Sequence, residues 1–216
     1  MLQRKIMNGR FRIPFSLAET KSMLLAAYLS EVEFRQRKFV NTAEFNAHLE
    51  QIAEFFTGNS SKFGLLFCGL CGNGKTTWLK AISALIDSLQ IYNPRESETY
   101  KCSYKNAKVL AFISRDSSKE WTEIMKKSIL AIDDFGTEPK EILNYGNCLT
   151  PMTDLITYRY DEQLFTLLTT NLTFTQIKEV YGERIADRLL EMFLPIRFKG
   201  DSFRNQKQSD HESAGT

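Results

Sequence analysis

The chain has 216 residues, 43% of them hydrophobic and 25% charged, with a formal net charge of +2. That is enough apolar sequence for one sizeable domain, or one domain with a small appendage, and it excludes a chain dominated by disorder. The charge is too small to argue for nucleic-acid binding, no apolar run reaches the roughly 20 residues of a bilayer span, and four cysteines in a chain of this size are not a disulfide framework.

The first dozen residues carry Arg4, Lys5, Arg10 and Arg12 and no acid, and Pro14 stops this lead-in. They lack the apolar core and cleavage site of a secretory signal, so the expected location is the cytoplasm. Ser16 with Glu19 three residues later forms a capping box. Leu24, Leu25, Tyr28, Leu29 and Val32 then recur at helical spacing, and the run closes on Arg35, Arg37 and Lys38. A second helix starts near Thr42, presents Phe45, Leu49, Ile52 and Phe56 on one face, and stops at Gly58. Residues 1–60 therefore read as a basic lead-in and a two-helix unit, expected to contact a partner.

Beyond the turn at 58–61 the pattern changes to alternating strands and helices. Residues 63–68, 109–113, 129–133 and 164–169 are apolar runs of strand length, and 195–198 makes a fifth. Helical patterns occupy 75–89, 117–127 and 149–160, while 92–108, with Pro94 and many polar residues, reads as an exposed loop. Such alternation predicts an α/β fold with a parallel sheet covered by helices on both faces, here over residues 61–204. Residues 205–216 are a polar tail, expected to be disordered.

Residues 69–76, Gly-Leu-Cys-Gly-Asn-Gly-Lys-Thr, fit G-x-x-x-x-G-K-[ST] at every fixed position, after a predicted strand and at the start of a predicted helix. Glycines let backbone N–H groups close around phosphate oxygens, and the following helix adds its positive end. Gly69, Cys71, Gly72, Asn73, Gly74, Lys75, Thr76 and Thr77 thus form the expected nucleotide-binding set. Lys75 would reach the β- and γ-phosphates of ATP, and the Thr76 hydroxyl would hold Mg²⁺. Cys68 and Cys71 also form a C-x-x-C. One ends a buried strand, the other lies in the phosphate loop, and no second pair completes a zinc site.

Residues 128–134, Ser-Ile-Leu-Ala-Ile-Asp-Asp, place two acids at the carboxyl end of a buried strand, the edge at which open α/β sheets bind ligands. Asp133 would serve the metal and Asp134 the attacking water, the alternative being an acidic turn before Gly136. The strand at 164–169 leads into Thr170 and Asn171, and Asn171 could hydrogen-bond the γ-phosphate or the attacking water.

The phosphate loop, Ile-Asp-Asp-Phe-Gly at 132–136, Thr-Thr-Asn at 169–171 and Gly-Glu-Arg-Ile-Ala-Asp-Arg-Leu at 182–189 together resemble the AAA+ ATPases of the DnaC-type helicase loaders and the related IstB-type transposition ATPases. Lys-Gly-Asp-Ser-Phe-Arg at 199–204 is similar to the end of those proteins. The resemblance covers about residues 60–205 and implies an AAA+ core with no separate C-terminal lid. It implies that Lys75, Thr76, Asp133 and Asp134 bind and hydrolyse ATP with Mg²⁺, with Asn171 as the γ-phosphate sensor. Arg188 would be the arginine finger that completes a neighbouring subunit's site, and Arg184 and Arg204 are weaker candidates for nucleotide-linked roles. The implied partners are a replicative helicase or a transposase, single-stranded DNA and further copies of the chain. Lys119, Trp121, Lys126 and Lys127 could contact the DNA by charge and stacking, or form a packed tryptophan and a solvated basic face. Two departures stand out: Asp134 replaces the glutamate of many members, and the N-terminal unit is short.

Two other functions fit the phosphate loop. One is a small nucleoside or nucleotide kinase, although the sequence shows neither an arginine-rich lid nor an acceptor pocket. The other is an ATP switch that binds without hydrolysing.

Overall fold

A computed structural model describes residues 10–144 and 146–199. Helices α1 (Leu17–Phe34) and α2 (Ala43–Thr57) precede strand β1 (Gly64–Gly69) and helix α3 (Lys75–Leu89). A small hairpin, β2 (Tyr92–Asn93) and β3 (Glu98–Thr99), leads to β4 (Cys102–Asn106), α4 (Ala107–Asp116), α5 (Ser118–Met125) and β5 (Ile129–Phe135). A second hairpin, β6 (Ile142–Asn144) and β7 (Asn147–Leu149), precedes α6 (Pro151–Asp161) and β8 (Phe165–Thr170). The described chain closes with α7 (Phe174–Tyr181), α8 (Glu183–Met192) and β9 (Phe193–Phe198).

The main sheet has the order β4-β5-β8-β1-β9 and is parallel throughout. The strand that ends in the phosphate loop is therefore inside the sheet, between β8 and β9. Side chains of a strand alternate between faces, and this alternation divides the core in two. Leu65, Phe67, Ala131, Leu167 and Ile196 pack against α1, α2 and α3. Leu66, Leu130, Ile132 and Leu168 pack against α4 to α8. The three-layer α/β architecture expected from the strand–helix alternation is the one observed. Among the described residues no helix is long and apolar enough to cross a membrane.

Two of the expected elements are different. Residues 109–113 are not a strand but the middle of α4, and the strand lies at Cys102–Asn106 in the stretch read as a loop. A five-residue apolar run cannot be assigned by periodicity alone. The Asn106 side chain accepts the N–H of Lys108 and caps a helix there, with Leu110, Ala111 and Ser114 turned inwards and Val109 and Phe112 exposed. β4 pairs only with β5, so as an edge strand it is half-exposed and carries Ser103, Tyr104 and Lys105 instead of an apolar run.

Residues 10–60 do not form a core of their own. The Ser16–Glu19 capping box is present at α1. From α1, Tyr28 packs 4.6 Å from Trp78 of α3, and from α2, Phe45 stacks on the same indole at 5.3 Å. The described part of the basic lead-in is bound as well. Arg12 donates to the carbonyls of Gly58 and Ser60 at 2.8 and 2.7 Å, and Phe11 lies 5.1 Å from Phe165 of the sheet. Arg4, Lys5, Arg204 and the 205–216 tail lie outside the described residues.

Candidate nucleotide site at the carboxyl edge of the sheet

The loop that leaves β1 must turn sharply beneath β9. At Gly69 φ is +141°, and a Cβ there would stand 2.2 Å from the Phe198 carbonyl oxygen, so only glycine fits. Gly74, with φ +96°, is the N-cap of α3 and offers no side chain to its first turn. The helix start therefore keeps its N–H groups and its partial positive charge for an anion. Lys75 is folded back into the loop, where its ammonium donates to the Gly69 and Leu70 carbonyls (2.8 and 2.6 Å) and to Asn73 Oδ1 (3.1 Å). Burial pushes the Lys75 pKa down, against the opposing pull of Cys71 and the two acids. Asn73 is buried too, and its Nδ2 has no hydrogen-bond partner. Thr77 is buried beneath the loop, and Cys71 is exposed on it.

Asp133 ends the regular part of β5 and is only 3% exposed. Its Oδ1 accepts the hydroxyls of Thr76 at 3.0 Å and Thr169 at 2.6 Å, and its Oδ2 accepts the hydroxyl of Tyr104 at 2.7 Å. All three groups donate, so hydroxyls hold both oxygens of the carboxylate. Burial and the Asp133 contact hold the Tyr104 phenol in its protonated form.

At Asp134 the register of β5 against β8 slips between Ile132 and Phe135, and φ is +60°, a left-handed conformation that Asp tolerates better than most residues. The backbone N–H of Asp134 donates to Thr169 Oγ1 at 2.8 Å, and its carbonyl accepts from Thr137. Its half-buried carboxylate is 3.4 Å from Asn106 Nδ2. Burial, then the charge of Asp133, raises its pKa.

Asn171 is exposed and directly follows Thr170, which pairs with Cys68 of β1 and Phe135 of β5. It therefore stands at the sheet edge between the phosphate loop and the paired acids. Arg188 is elsewhere. It is buried against α6, donating to Thr157 Oγ1 at 2.5 Å and lying 5.0 Å over the Tyr160 ring, with Asp161 at 3.5 Å. Arg184, on the same helix, is exposed. Lys119, Lys126 and Lys127 are exposed on and after α5, whereas Trp121 is half-buried and packs against the core.

Four contributors escape a sequence reading. Tyr104 and Asn106 lie on the strand mistaken for a loop. Glu138, buried, accepts the Gly136 N–H at 2.8 Å and the Tyr181 hydroxyl, fixing the turn after the acids to α7. Arg159, fully buried, donates to the carbonyls of Met125, Lys127 and Phe165 and to Thr166, tying α5, α6 and β8 together. The one available signal is that an arginine in a helix otherwise turned to the core needs buried acceptors.

Chemically, the loop offers an uncapped helix start, a lysine and an unpartnered buried amide for phosphates. The Thr76–Asp133 pair offers oxygen ligands of the kind Mg²⁺ prefers. The residues fit ATP with Mg²⁺. Fold and loop together define an α/β protein with a phosphate-binding loop at the carboxyl edge of a five-stranded parallel sheet.

No protein-family model and no curated protein matches the sequence. Solved structures do. The DnaC helicase loader matches with a TM-score of 0.57 and 20% identity, over 75% of this chain and 94% of that one. DnaI matches with a TM-score of 0.55 and 20% identity, over 84% of this chain and 92% of that one. AMPPCP-bound DnaA from Aquifex aeolicus matches with a TM-score of 0.54 and 15% identity, over 82% of this chain and 53% of that one. The chain shares the fold of these three solved structures.

Proposed function

We propose that the chain binds and hydrolyses ATP with Mg²⁺ and uses the cycle to load or remodel a replicative helicase on single-stranded DNA. The observation that carries the nucleotide chemistry is the 3.0 Å contact from Thr76 of the loop to Asp133 of the acidic strand. Bound Mg²⁺ would supply neutralisation of the phosphate charge. Lys75 exchanges the loop carbonyls for phosphate oxygens, Thr76 and Asp133 hold the metal shell, Asp134 takes the proton of the attacking water, and Asn171 meets the γ-phosphate. Helicase is favoured over transposase because a solved structure of similar fold is a DnaC helicase loader. Single-stranded DNA is favoured because another similar structure, at TM-score 0.53, is DnaA bound to AMPPCP and single-stranded DNA. The chain assembles with further copies in the nucleotide-bound state, α8 facing a neighbour's site, while residues 1–60 contact the partner and the exposed Lys119, Lys126 and Lys127 face DNA, with Trp121 packed beneath them.

The deciding experiment is ATP turnover by the purified protein, with and without single-stranded DNA and with Lys75→Ala as the blank. Turnover that rises with DNA supports the proposal. Binding without turnover makes the protein a switch, and phosphate transfer to a nucleoside or nucleotide acceptor makes it a kinase.

A further inference from the structure

Asp133 is held from three elements: Thr76 from α3, Thr169 from β8 and Tyr104 from β4. The two threonines share Oδ1. With that oxygen alone anchored, the carboxylate plane could still turn about its Cβ–Cγ bond. Tyr104 is the described contact on Oδ2 that stops the turn. It stands in fixed register for this, opposite Ala131, two residues before Asp133 on the paired strand. Its ring carries the Lys80 ammonium at 5.3 Å, from the turn of α3 after Thr76. A cation over a phenol withdraws electron density and strengthens its O–H as a donor.

We propose that Tyr104 is a positioning residue for the divalent cation, setting the orientation in which Asp133 meets it. The proposal rests on the ATP–Mg²⁺ reading of this site. A carboxylate oxygen has about two acceptor positions, so the phenol leaves one on Oδ2 for a cation or its bound water. Mg²⁺ demands near-octahedral geometry and loses most from a rotated ligand, whereas Ca²⁺ tolerates irregular shells. Loss of the hydroxyl therefore penalises Mg²⁺ more than Ca²⁺. A general weakening of the fold would not discriminate between the ions.

The test uses the full chain, wild type and Tyr104→Phe, which keeps the ring and its Lys80 contact. A fluorescent ADP analogue is titrated in EDTA, in Mg²⁺ and in Ca²⁺, and ATP turnover is measured at saturating Mg²⁺. The expected variant binds the analogue in EDTA within about twofold of wild type, while the tightening produced by Mg²⁺ shrinks about tenfold, the scale of a lost hydrogen bond to a charged group. Tightening by Ca²⁺ shrinks less, and at saturating Mg²⁺ the KM for ATP rises with the weaker Mg²⁺-dependent binding while kcat falls. Equal Mg²⁺ tightening in the two proteins overturns the role of Tyr104 while leaving the ATP reading intact. A loss already present in EDTA overturns it too, making Tyr104 part of the framework. Failure of the wild type to bind the analogue under any condition overturns both.

Discussion

Thr169 on β8 donates its hydroxyl to Asp133 Oδ1 at 2.6 Å while accepting the backbone N–H of Asp134 at 2.8 Å. One buried side chain thus holds both acids of the neighbouring strand, across the place where its register slips. Valine has nearly the shape of threonine without the hydroxyl, so Thr169→Val leaves the Asp134 N–H and one side of Asp133 without their partner. Turnover is expected to fall about 10- to 100-fold, with nucleotide affinity in EDTA unchanged. Steady-state ATPase assays and a binding titration on the same preparation measure the two quantities.

Asp134→Asn is expected to bind ATP and lose hydrolysis, because the amide keeps the shape of the side chain and cannot take a proton. The same change raises thermal stability at neutral pH. Burial and the neighbouring Asp133 raise the Asp134 pKa, so its ionised form is the disfavoured one in the fold. The advantage of Asn is therefore present above the folded-state pKa and disappears as pH falls from there towards the ordinary carboxylate value. For this partly exposed group the gain is about 1–2 °C. Melting curves at pH 7 and pH 4 check the sign, and unchanged turnover would remove Asp134 from the mechanism.

Arg159 is fully buried with no carboxylate hydrogen-bonded to it among the described residues, and burial pushes its pKa down to about 9, which leaves it charged at neutral pH. Arg159→Met leaves the Met125, Lys127 and Phe165 carbonyls without this donor in the core and is expected to cost about 3–5 kcal/mol. Arg159→Lys recovers little, since one ammonium cannot span acceptors on α5 and β8. Urea unfolding of the three proteins gives the values directly.

Arg184 and Arg188 separate by exposure. Arg188→Ala removes the Thr157 contact and the Tyr160 ring contact, and is expected to lower the melting midpoint by about 3–6 °C. Arg184→Ala is expected to leave it within about 1 °C. Mixing each variant with Lys75→Ala then reads out action across an interface. Restored turnover in a mixture identifies the arginine that serves a neighbouring site, and absence of rescue with both removes the shared site.

The central strands were legible because they are long, apolar and bounded by turn signals, as residues 63–68 and 129–133 show. The phosphate loop was legible because its chemistry is local: Gly69, Gly74, Lys75 and Thr76 act through backbone shape and spacing within eight residues. β4 was not, since an edge strand needs no apolar run, and the more hydrophobic segment beside it is helical. Arg12 read only as one charge of a basic lead-in, because nothing in its neighbourhood announces the Gly58 and Ser60 carbonyls it binds.

What the order of residues settles, then, is the glycine-rich loop, the acidic strand end and the α/β class, all of which follow from periodicity and short-range spacing. What only the folded chain decides is who meets Asp133. Thr76, Tyr104 and Thr169 are separated from it by 57, 29 and 36 positions, and strand order and parallel register bring their hydroxyls to one carboxylate. Hydrogen bonds of that kind depend on sub-ångström placement by the whole sheet, which no local pattern encodes.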